Sequence, residues 1–183
     1  MNNQKILITG ATGSFGKKMV ERIIKNFKYK RLVIFSRDEL KQSLIREKYP
    51  EEKYKNLRFF IGDIRDQQRV ISAFNDIDIV IHAAALKQVT TAEYNPMECI
   101  KTNIIGAENV IKASLACNVK KVVALSTDKA VDPVNLYGAT KLAAEKLFIS
   151  ANNIKGNRKI SSSNNGGKHT LTFNQLFALF SSS

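Results

Sequence analysis

A glycine-rich turn placed directly after a short apolar run is the feature that most constrains the fold of this chain. Lys5–Thr9 (KILIT) is apolar and β-branched, and the run Gly10–Gly16 (GATGSFG) follows it without a gap. From Phe15 onward, Met19 and Ile23 repeat at a spacing of four residues. A short apolar run indicates a strand buried on both faces, and the four-residue spacing indicates a helix. The chain is therefore predicted to begin with a strand, a tight turn and a helix.

Strand and helix signals continue to alternate along the chain. Further strands are predicted at Arg31–Ser36, Leu57–Ile61, Ile79–Ala83 and Lys121–Leu125, and further helices at Asp38 to about Tyr49, Pro96 to about Cys117 and Asn135 to about Ala151. Right-handed crossovers between such strands give a parallel sheet that is covered by helices on both faces. The sequence therefore predicts an α/β fold with a doubly wound parallel sheet, the Rossmann architecture.

The composition of the chain changes near its end. With 183 residues and 44% hydrophobic content, the chain is long enough to bury one core. Its last part contains the low-complexity run SSSNNGG, the apolar patch LTFNQLFALF and a terminal SSS. We predict one Rossmann domain at residues 1–156 and an atypical tail at residues 157–183, which serves as a linker or an appended segment.

Charge and cysteine content narrow the range of partners. The net charge is +13, but the lysines are scattered along the chain, which favours a solvated surface over a nucleic-acid interface. Cys99 and Cys117 fit no metal-ligand spacing, so reduced thiols and no metal are expected. No apolar stretch approaches the ~18 residues that a membrane span needs. We expect a cytoplasmic protein without a nucleic-acid or membrane partner.

The glycine-rich turn predicts a phosphate-binding loop. Glycine allows a tight turn and a close approach of the backbone, and the N–H groups at a helix N-terminus attract negative charge. An ordinary loop before a helix is the alternative, but the position after the first strand favours a dinucleotide. The predicted cofactor contacts in this loop are Gly10, Thr12, Gly13, Ser14, Phe15 and Gly16.

The end of the second strand indicates which dinucleotide is bound. An NAD site usually places an acidic side chain there to bind the ribose 2′-hydroxyl. This chain has Ser36 and Arg37 instead, and an arginine can pair with a 2′-phosphate. The alternative is that Arg37 is a surface charge beside Asp38 and Glu39. We predict NADP.

Two further strand ends supply candidate cofactor contacts. Asp63, after the third strand, is predicted to bind the adenine amino group, although a helix N-cap is an alternative. The small residues Ala83, Ala84 and Ala85, after the fourth strand, allow the backbone to lie close to the cofactor. His82 beside them is predicted to be a packed side chain rather than a catalyst.

The last strand and helix carry the candidate catalytic residues. Tyr137 and Lys141 are four residues apart and face the same side of a helix, where the ammonium is expected to lower the pKa of the phenol. Thr127, at the end of the fifth strand, is predicted to bind a substrate oxygen. The adjacent Asp128 and Lys129 provide an acid and a base, unless they form only an ion pair in the loop.

Four stretches now establish a resemblance: SRDELKQ (36–42), AEYNPMECIKTN (92–103), ALSTDKA (124–130) and NLYGATKL (135–142). From about Lys5 to Asn157, the chain resembles the soluble UDP-N-acetylglucosamine 4,6-dehydratases (C5-inverting). These are extended short-chain dehydrogenase/reductases of bacterial polysaccharide and flagellin-sugar biosynthesis. The resemblance implies a lyase that forms a UDP-4-keto-6-deoxy-hexosamine, with tightly bound NADP regenerated in each turnover.

The resemblance also implies roles for the candidate residues. Tyr137, assisted by Lys141, deprotonates the sugar 4-hydroxyl while hydride passes to NADP⁺. Lys129 then removes the proton from carbon 5, Asp128 protonates the departing 6-hydroxyl, and hydride returns to carbon 6. The cofactor contacts implied in addition are Lys41, Ile64, Lys87, Asn103, Tyr137 and Lys141, and the implied substrate contacts are Lys87 and Thr127.

The resemblance ends before the part of these enzymes that binds the UDP-sugar. We therefore expect a truncated chain that lacks most of the substrate-binding region, binds NADP(H) weakly and turns over UDP-N-acetylglucosamine poorly. The full-length form is expected to be a homo-oligomer built partly through the helix around residues 96–117. One alternative is a nucleotide-sugar epimerase or reductase, which does not need Asp128 as an acid. Another is a non-catalytic NADP-binding module, which generally lacks the pair formed by Tyr137 and Lys141.

Overall fold

Five parallel strands form the sheet of this protein, in the order β3-β2-β1-β4-β5. The computed structural model describes residues 1–154, so the predicted tail at 157–183 lies outside the described residues. The strands are β1 (Lys5–Thr9), β2 (Arg31–Ser36), β3 (Leu57–Ile61), β4 (Ile79–His82) and β5 (Lys121–Ala124). The first three strands have the predicted bounds, and the last two end one residue early. The predicted doubly wound parallel sheet is confirmed.

Helices follow the strands as the alternating pattern requires. They are α1 (Ser14–Asn26), α2 (Glu39–Lys48), α3 (Gln67–Phe74), α4 (Val89–Tyr94), α5 (Pro96–Ile100), α6 (Gly106–Ala116) and α7 (Leu136–Ile154). A π-helical segment, Lys101–Ile105, joins α5 to α6, so the long helix predicted at residues 96–117 is interrupted by one wider turn. No helix within residues 1–154 is long and apolar enough to span a membrane.

Successive residues of the central strands face opposite sides of the sheet. Ile6 and Ile8 of β1 pack into a cluster with residues of α1 and α2, whereas Leu7 packs into a second cluster with residues of α3 and α6. All three side chains are fully buried. Because both faces are covered, the strands contain almost continuous apolar runs rather than alternating polar ones.

The strand order places a crevice above the end of β1. This strand pairs with β2 on one side and with β4 on the other. The connections that leave the carboxyl ends of two such neighbours run to opposite faces of the sheet, and ligands bind in the crevice between them. The predicted glycine loop and the predicted alanine run therefore lie at the same edge of the sheet.

Asn109 fastens the second layer of helices to the loop after β3. Its buried side-chain amide donates to the carbonyl oxygens of Ile64 at 2.9 Å and Arg65 at 3.0 Å. Ile64 also packs into the core cluster on this face of the sheet. Asn109 thus holds the backbone that carries the β3 side of the crevice.

Replacing Asn109 with alanine is expected to lower the free energy of unfolding by about 2 kcal/mol, because two carbonyl oxygens lose their donors in a buried place. Chemical denaturation followed by circular dichroism measures this change. The matched control is Asn26→Ala, which removes an exposed amide bonded to the Arg22 carbonyl oxygen and should have little effect. Equal losses in the two variants would contradict a supporting role for Asn109.

Candidate functional site

Gly10 sits where the backbones after β1 and β4 come closest. Its φ angle is +66°, a left-handed conformation that favours glycine. A Cβ atom at this position would lie 2.6 Å from the backbone nitrogen of Ala84, too close for any side chain. At Gly16, a Cβ atom would lie 2.5 Å from the Cα atom of Ala11. These glycines are therefore required by the packing of the turn itself.

The turn places the N-terminus of α1 at the crevice. Gly13 is the N-cap residue, and it has no side chain with which to cap the first-turn N–H groups. N–H groups at a helix start have no partner within the helix, and the helix dipole makes this end attractive to phosphate. The turn has the geometry and the chemistry of a cradle for a diphosphate.

Most of the predicted cofactor residues line one cleft above the sheet edge. The predicted residues in its lining are Gly10, Thr12, Gly13, Phe15, Gly16, Ser36, Arg37, Lys41, Asp63, Ile64, Ala83, Ala84, Ala85 and Lys87. Ser14 is exposed on the first turn of α1, outside this lining. Three residues without a predicted role, Phe35, Asp38 and Thr102, also line the cleft. Phe35 is an ordinary core position of β2, and Thr102 is a polar residue within a helical pattern, so neither had a sequence signal.

One end of the cleft combines cations with carboxylates. Arg37 lies 3.4 Å from a carboxylate oxygen of Asp63, and the Lys41 ammonium lies 2.7 Å from one of Asp38. Both cationic side chains are more than half exposed, so these ion pairs are weak and the cations remain accessible to a ligand. Ser36 is buried, and its hydroxyl accepts a hydrogen bond from the Gln42 amide at 3.0 Å.

Asp63 is held mainly by Arg65, which donates to its carboxylate from the backbone at 2.9 Å and from the guanidinium at 2.7 Å. Burial, the largest single influence, raises the pKa of Asp63, but the hydrogen bonds from Arg65 and the charge of Arg37 together lower the pKa below its ordinary value. The alternative of a helix N-cap at this residue is wrong. The cap of α3 is Asp66, three residues later, which accepts a hydrogen bond from the Arg69 N–H.

Asn103 clamps the loop after β4 to α7. Its side-chain carbonyl accepts from the Leu86 N–H at 2.8 Å, and its amide donates to the Leu86 carbonyl oxygen at 2.9 Å and to the Thr140 hydroxyl at 3.0 Å. Asn103, which was predicted to contact the cofactor, thus lies in the π-helical segment outside the cleft lining. Its side chain is bonded to other protein groups. It positions the backbone next to Lys87 relative to the helix that carries Tyr137.

Tyr137 and Lys141 lie one turn apart on α7 and are both 8% exposed. The Lys141 ammonium donates to the Leu125 carbonyl oxygen, at the end of β5, over 2.6 Å. Burial lowers the pKa of Lys141 to about 8, against an opposing influence from the Glu145 carboxylate. A buried lysine in this range exchanges protons near neutral pH.

The expected lowering of the phenol pKa is wrong for this structure. The pKa of Tyr137 is raised, principally by burial, and the charge of Asp128 adds to the rise. The hydrogen bond with Thr127 opposes these influences but does not outweigh them. The helical spacing of Tyr137 and Lys141 is as predicted, but the ammonium is committed to the carbonyl of Leu125 and burial determines the sign.

The turn that carries Asp128 and Lys129 packs directly on the start of α7. Asp128–Ala130 form one 3₁₀ turn, and a Cβ atom on Gly138 would lie only 2.1 Å from the carbonyl oxygen of Lys129. Glycine at this position therefore brings the turn next to Tyr137. The Thr127 hydroxyl donates to the Asp128 carboxylate at 2.9 Å and, with the Lys129 N–H, holds the pKa of that carboxyl below its ordinary value. Asp128 and Lys129 are both exposed.

His82 is a packed residue beneath the site. Its Nδ1 lies 2.7 Å from the Thr9 hydroxyl, and its ring contacts Phe148, with the ring centroids 5.6 Å apart. Burial, with a smaller contribution from the charge of Lys141, lowers the pKa of His82 to about 3. The imidazole is neutral at physiological pH.

The fold and the site define the class: an α/β domain with a dinucleotide-type phosphate loop and a Tyr-x-x-x-Lys pair at the carboxyl edge of its sheet. The sequence model of the family described as "Polysaccharide biosynthesis protein" matches residues 6–166. The chain belongs to this family.

Curated relatives and solved structures agree with this assignment. Over 158 residues the chain is 57% identical to "UDP-N-acetylglucosamine 4,6-dehydratase (inverting)" of Campylobacter jejuni, a match that covers 86% of the chain and 46% of the relative. It is 49% identical to "UDP-glucose 4-epimerase" of Rickettsia bellii over 151 residues, which cover 81% and 43% of the two chains. The solved structure of Pen from Bacillus thuringiensis has 46% identity and a TM-score of 0.81, covering 86% of this chain and 48% of that one. The chain spans about half the length of the relatives that it matches.

The buried, neutral His82 predicts a specific acid sensitivity. Its pKa is far lower in the folded protein than the ordinary 6.5, so the unfolded chain takes up a proton that the folded protein does not. Stability is therefore lost as the pH falls below 6.5, by about 2 kcal/mol between pH 7 and pH 5 for a single proton. Urea unfolding at both pH values, in the wild type and in His82→Asn, isolates this loss. Between pH 7 and pH 5, the free energy of unfolding of His82→Asn should fall by about 2 kcal/mol less than that of the wild type. The same pH dependence in both proteins would contradict the low pKa of His82.

Proposed function

We propose that this chain is the cofactor-binding and catalytic half of a nucleotide-sugar 4,6-dehydratase, a hydro-lyase that acts on UDP-N-acetylglucosamine with inversion at carbon 5. The observation that carries the proposal is the contact between Gly138 and the Lys129 carbonyl oxygen. This contact holds an acid and an amine, Asp128 and Lys129, beside Tyr137. Removal of a hydroxyl group needs these two extra groups, and simple alcohol oxidation does not.

A nicotinamide dinucleotide, specifically NADP, is the proposed cofactor. The turn at Gly10–Gly16 supports a diphosphate ligand, because Gly13 has no side chain to cap the N-terminus of α1 and a phosphate can accept hydrogen bonds there. At the far end of the cleft, Arg37 and Lys41 are exposed and favour a 2′-phosphate over a free hydroxyl. A bound nicotinamide would supply a hydride acceptor that is regenerated in each turnover, and we propose that the full-length form holds this cofactor tightly.

The residues of the chain supply the proton transfers. Tyr137 takes the proton of the sugar 4-hydroxyl, assisted by Lys141 one turn along α7. Lys129 removes the proton at carbon 5, and Asp128 protonates the departing 6-hydroxyl. These roles follow those implied by the family resemblance, and the positions of the four side chains at one edge of the sheet support them.

Thr127 can link substrate binding to the protonation of Asp128. Its hydroxyl now stabilises the ionised form of Asp128, which opposes a role as an acid. If the hydroxyl turns to a substrate oxygen, Asp128 loses this donor and its pKa rises. Substrate binding at Thr127 would thus raise the pKa of Asp128 toward its ordinary value and make this residue a better proton donor than it is in the free protein.

A nucleotide-sugar epimerase is the second candidate, favoured by the 49% identity to the Rickettsia protein named as a UDP-glucose 4-epimerase. The two reactions share the oxidation at carbon 4 but differ afterwards. An epimerase returns hydride to carbon 4 and loses no water, so it does not need Asp128 as an acid. The products separate the candidates.

The decisive measurement is the fate of UDP-N-acetylglucosamine carrying deuterium at carbon 4, followed by mass spectrometry and NMR at high protein concentration. Dehydratase activity predicts the loss of one water, the appearance of the deuterium at carbon 6 and the uptake of solvent hydrogen at carbon 5. Tyr137→Phe should reduce the rate by about a thousandfold, because the general base is lost.

The matched control for this variant is Tyr94→Phe, which removes the same hydroxyl from an exposed tyrosine outside the site and should leave the rate unchanged. A product with the mass of the substrate and an inverted carbon 4 would contradict the dehydratase proposal and support the epimerase. Unchanged substrate with bound cofactor would reject catalysis by this chain.

Cofactor selectivity gives a separate prediction for Arg37. Arg37→Ala should weaken NADP(H) binding by at least about tenfold and leave NAD(H) binding nearly unchanged, because only the 2′-phosphate loses a charged donor. Isothermal titration with both cofactors measures the ratio. Arg46→Ala is the control, since Arg46 lies over the Phe59 ring outside the cleft lining. Equal weakening of both cofactors would assign Arg37 a general role and leave NADP without support.

A cytoplasmic location, the absence of nucleic-acid and membrane partners, and a homo-oligomeric full-length form remain predictions.

A further inference from the structure

Glu145 extends the line of reactive side chains along α7. It follows Lys141 by four residues and Tyr137 by eight, so all three lie on one side of the helix. The Glu145 side chain is half-buried. This carboxylate has no role in the proposed proton transfers.

The partner of Glu145 comes from the end of β5. The hydroxyl of Ser126 donates a hydrogen bond to the carboxylate of Glu145. The preceding residue, Leu125, accepts a hydrogen bond from the Lys141 ammonium through its carbonyl oxygen. Two successive residues after β5 therefore bind two successive turns of α7. The next residue along, Thr127, begins the turn that carries Asp128.

We propose that Glu145, fixed by Ser126, is a positioning residue whose carboxylate stabilises the ammonium form of Lys141 inside the buried site. The benefit to catalysis rests on the proposed function, because it concerns the lysine assigned to assist Tyr137. The effect of Glu145 on the charge of Lys141 does not depend on the reaction that the site performs.

The charges around Lys141 explain why such a residue is needed. Burial strongly disfavours the ammonium, and the charge of Lys87, from the loop after β4, disfavours it further. His82, from β4, is neutral and offers no compensating charge. Tyr137, from the same helix, is un-ionised at neutral pH since its pKa is raised. The negative charge of Glu145 opposes these effects and favours the ammonium form of Lys141.

A purely mechanical tie between α7 and β5 is the competing explanation, and Glu145→Gln separates the two. The glutamine carbonyl can still accept a hydrogen bond from Ser126, so the tie is kept while the charge is removed. A mechanical role predicts that Lys141 titrates as before. A role in stabilising the ammonium predicts that Lys141 loses its proton at a lower pH.

The test is an NMR titration of protein with ¹³C-labelled lysine, in which the Lys141 signal is identified by its loss in Lys141→Arg. The wild-type midpoint is expected near 8. Glu145→Gln should lower this midpoint by about one pH unit, as expected for the removal of a neighbouring opposite charge. The measurement needs neither substrate nor cofactor, so failure of the proposed function would leave its result unaffected.

Glu108→Gln is the matched control, because Glu108 forms the same four-residue pair with Lys112, at 2.9 Å, on the surface of α6. It should leave the Lys141 midpoint unchanged. Glu145→Met repeats the removal of charge if the glutamine variant fails to fold, and circular dichroism verifies the fold of each variant. An unchanged Lys141 midpoint in a folded charge-free variant would overturn the proposal.

Discussion

The close approach of two backbones, at Gly10 and Ala84, is the constraint on which the site depends. Gly10 is held in a left-handed conformation, and a Cβ atom there would lie 2.6 Å from the Ala84 nitrogen. The two residues follow neighbouring strands, β1 and β4, whose connections diverge to opposite faces of the sheet. Because the backbones meet at this point, the N-terminus of α1 lies directly above the sheet edge. The cleft is therefore a consequence of strand order combined with the absence of one side chain.

A second set of contacts fixes α7, which carries Tyr137 and Lys141, relative to the loop after β4, whose first residues line the cleft. Asn103 binds both polar groups of the Leu86 backbone and the hydroxyl of Thr140, so that the loop after β4 and the helix α7 have a fixed relation. Gly138 admits the carbonyl oxygen of Lys129 at the first turn of the same helix. The contact at Gly138 involves backbone, whereas Asn103 uses its whole side-chain amide to position the two elements. The π-helical segment around Asn103 is the kind of local irregularity that is frequent at functional sites.

The two ends of the site differ in their electrostatics. At the outer end, Arg37 and Lys41 are exposed and each lies near a carboxylate, so water screens their charges and a ligand phosphate can replace the carboxylate. At α7, Lys141 is buried, and burial lowers its pKa to about 8. An exposed end suits recognition of a charged group, and a dry end suits proton transfer at a tuned pKa.

The sequence by itself determined the fold class, three strands with their bounds, and the residues that line most of the cleft. These features depend on local patterns: apolar runs, helical spacing and glycines placed after strands. The short helices α3 and α4, with eight and six residues, were missed because such lengths carry little periodic signal. Only the tertiary structure decided the sign of the Tyr137 pKa, the inward orientation of Asn103 and the partnership of Ser126 with Glu145. Each of these depends on burial or on contacts between elements far apart in the chain, which residue type and spacing do not encode.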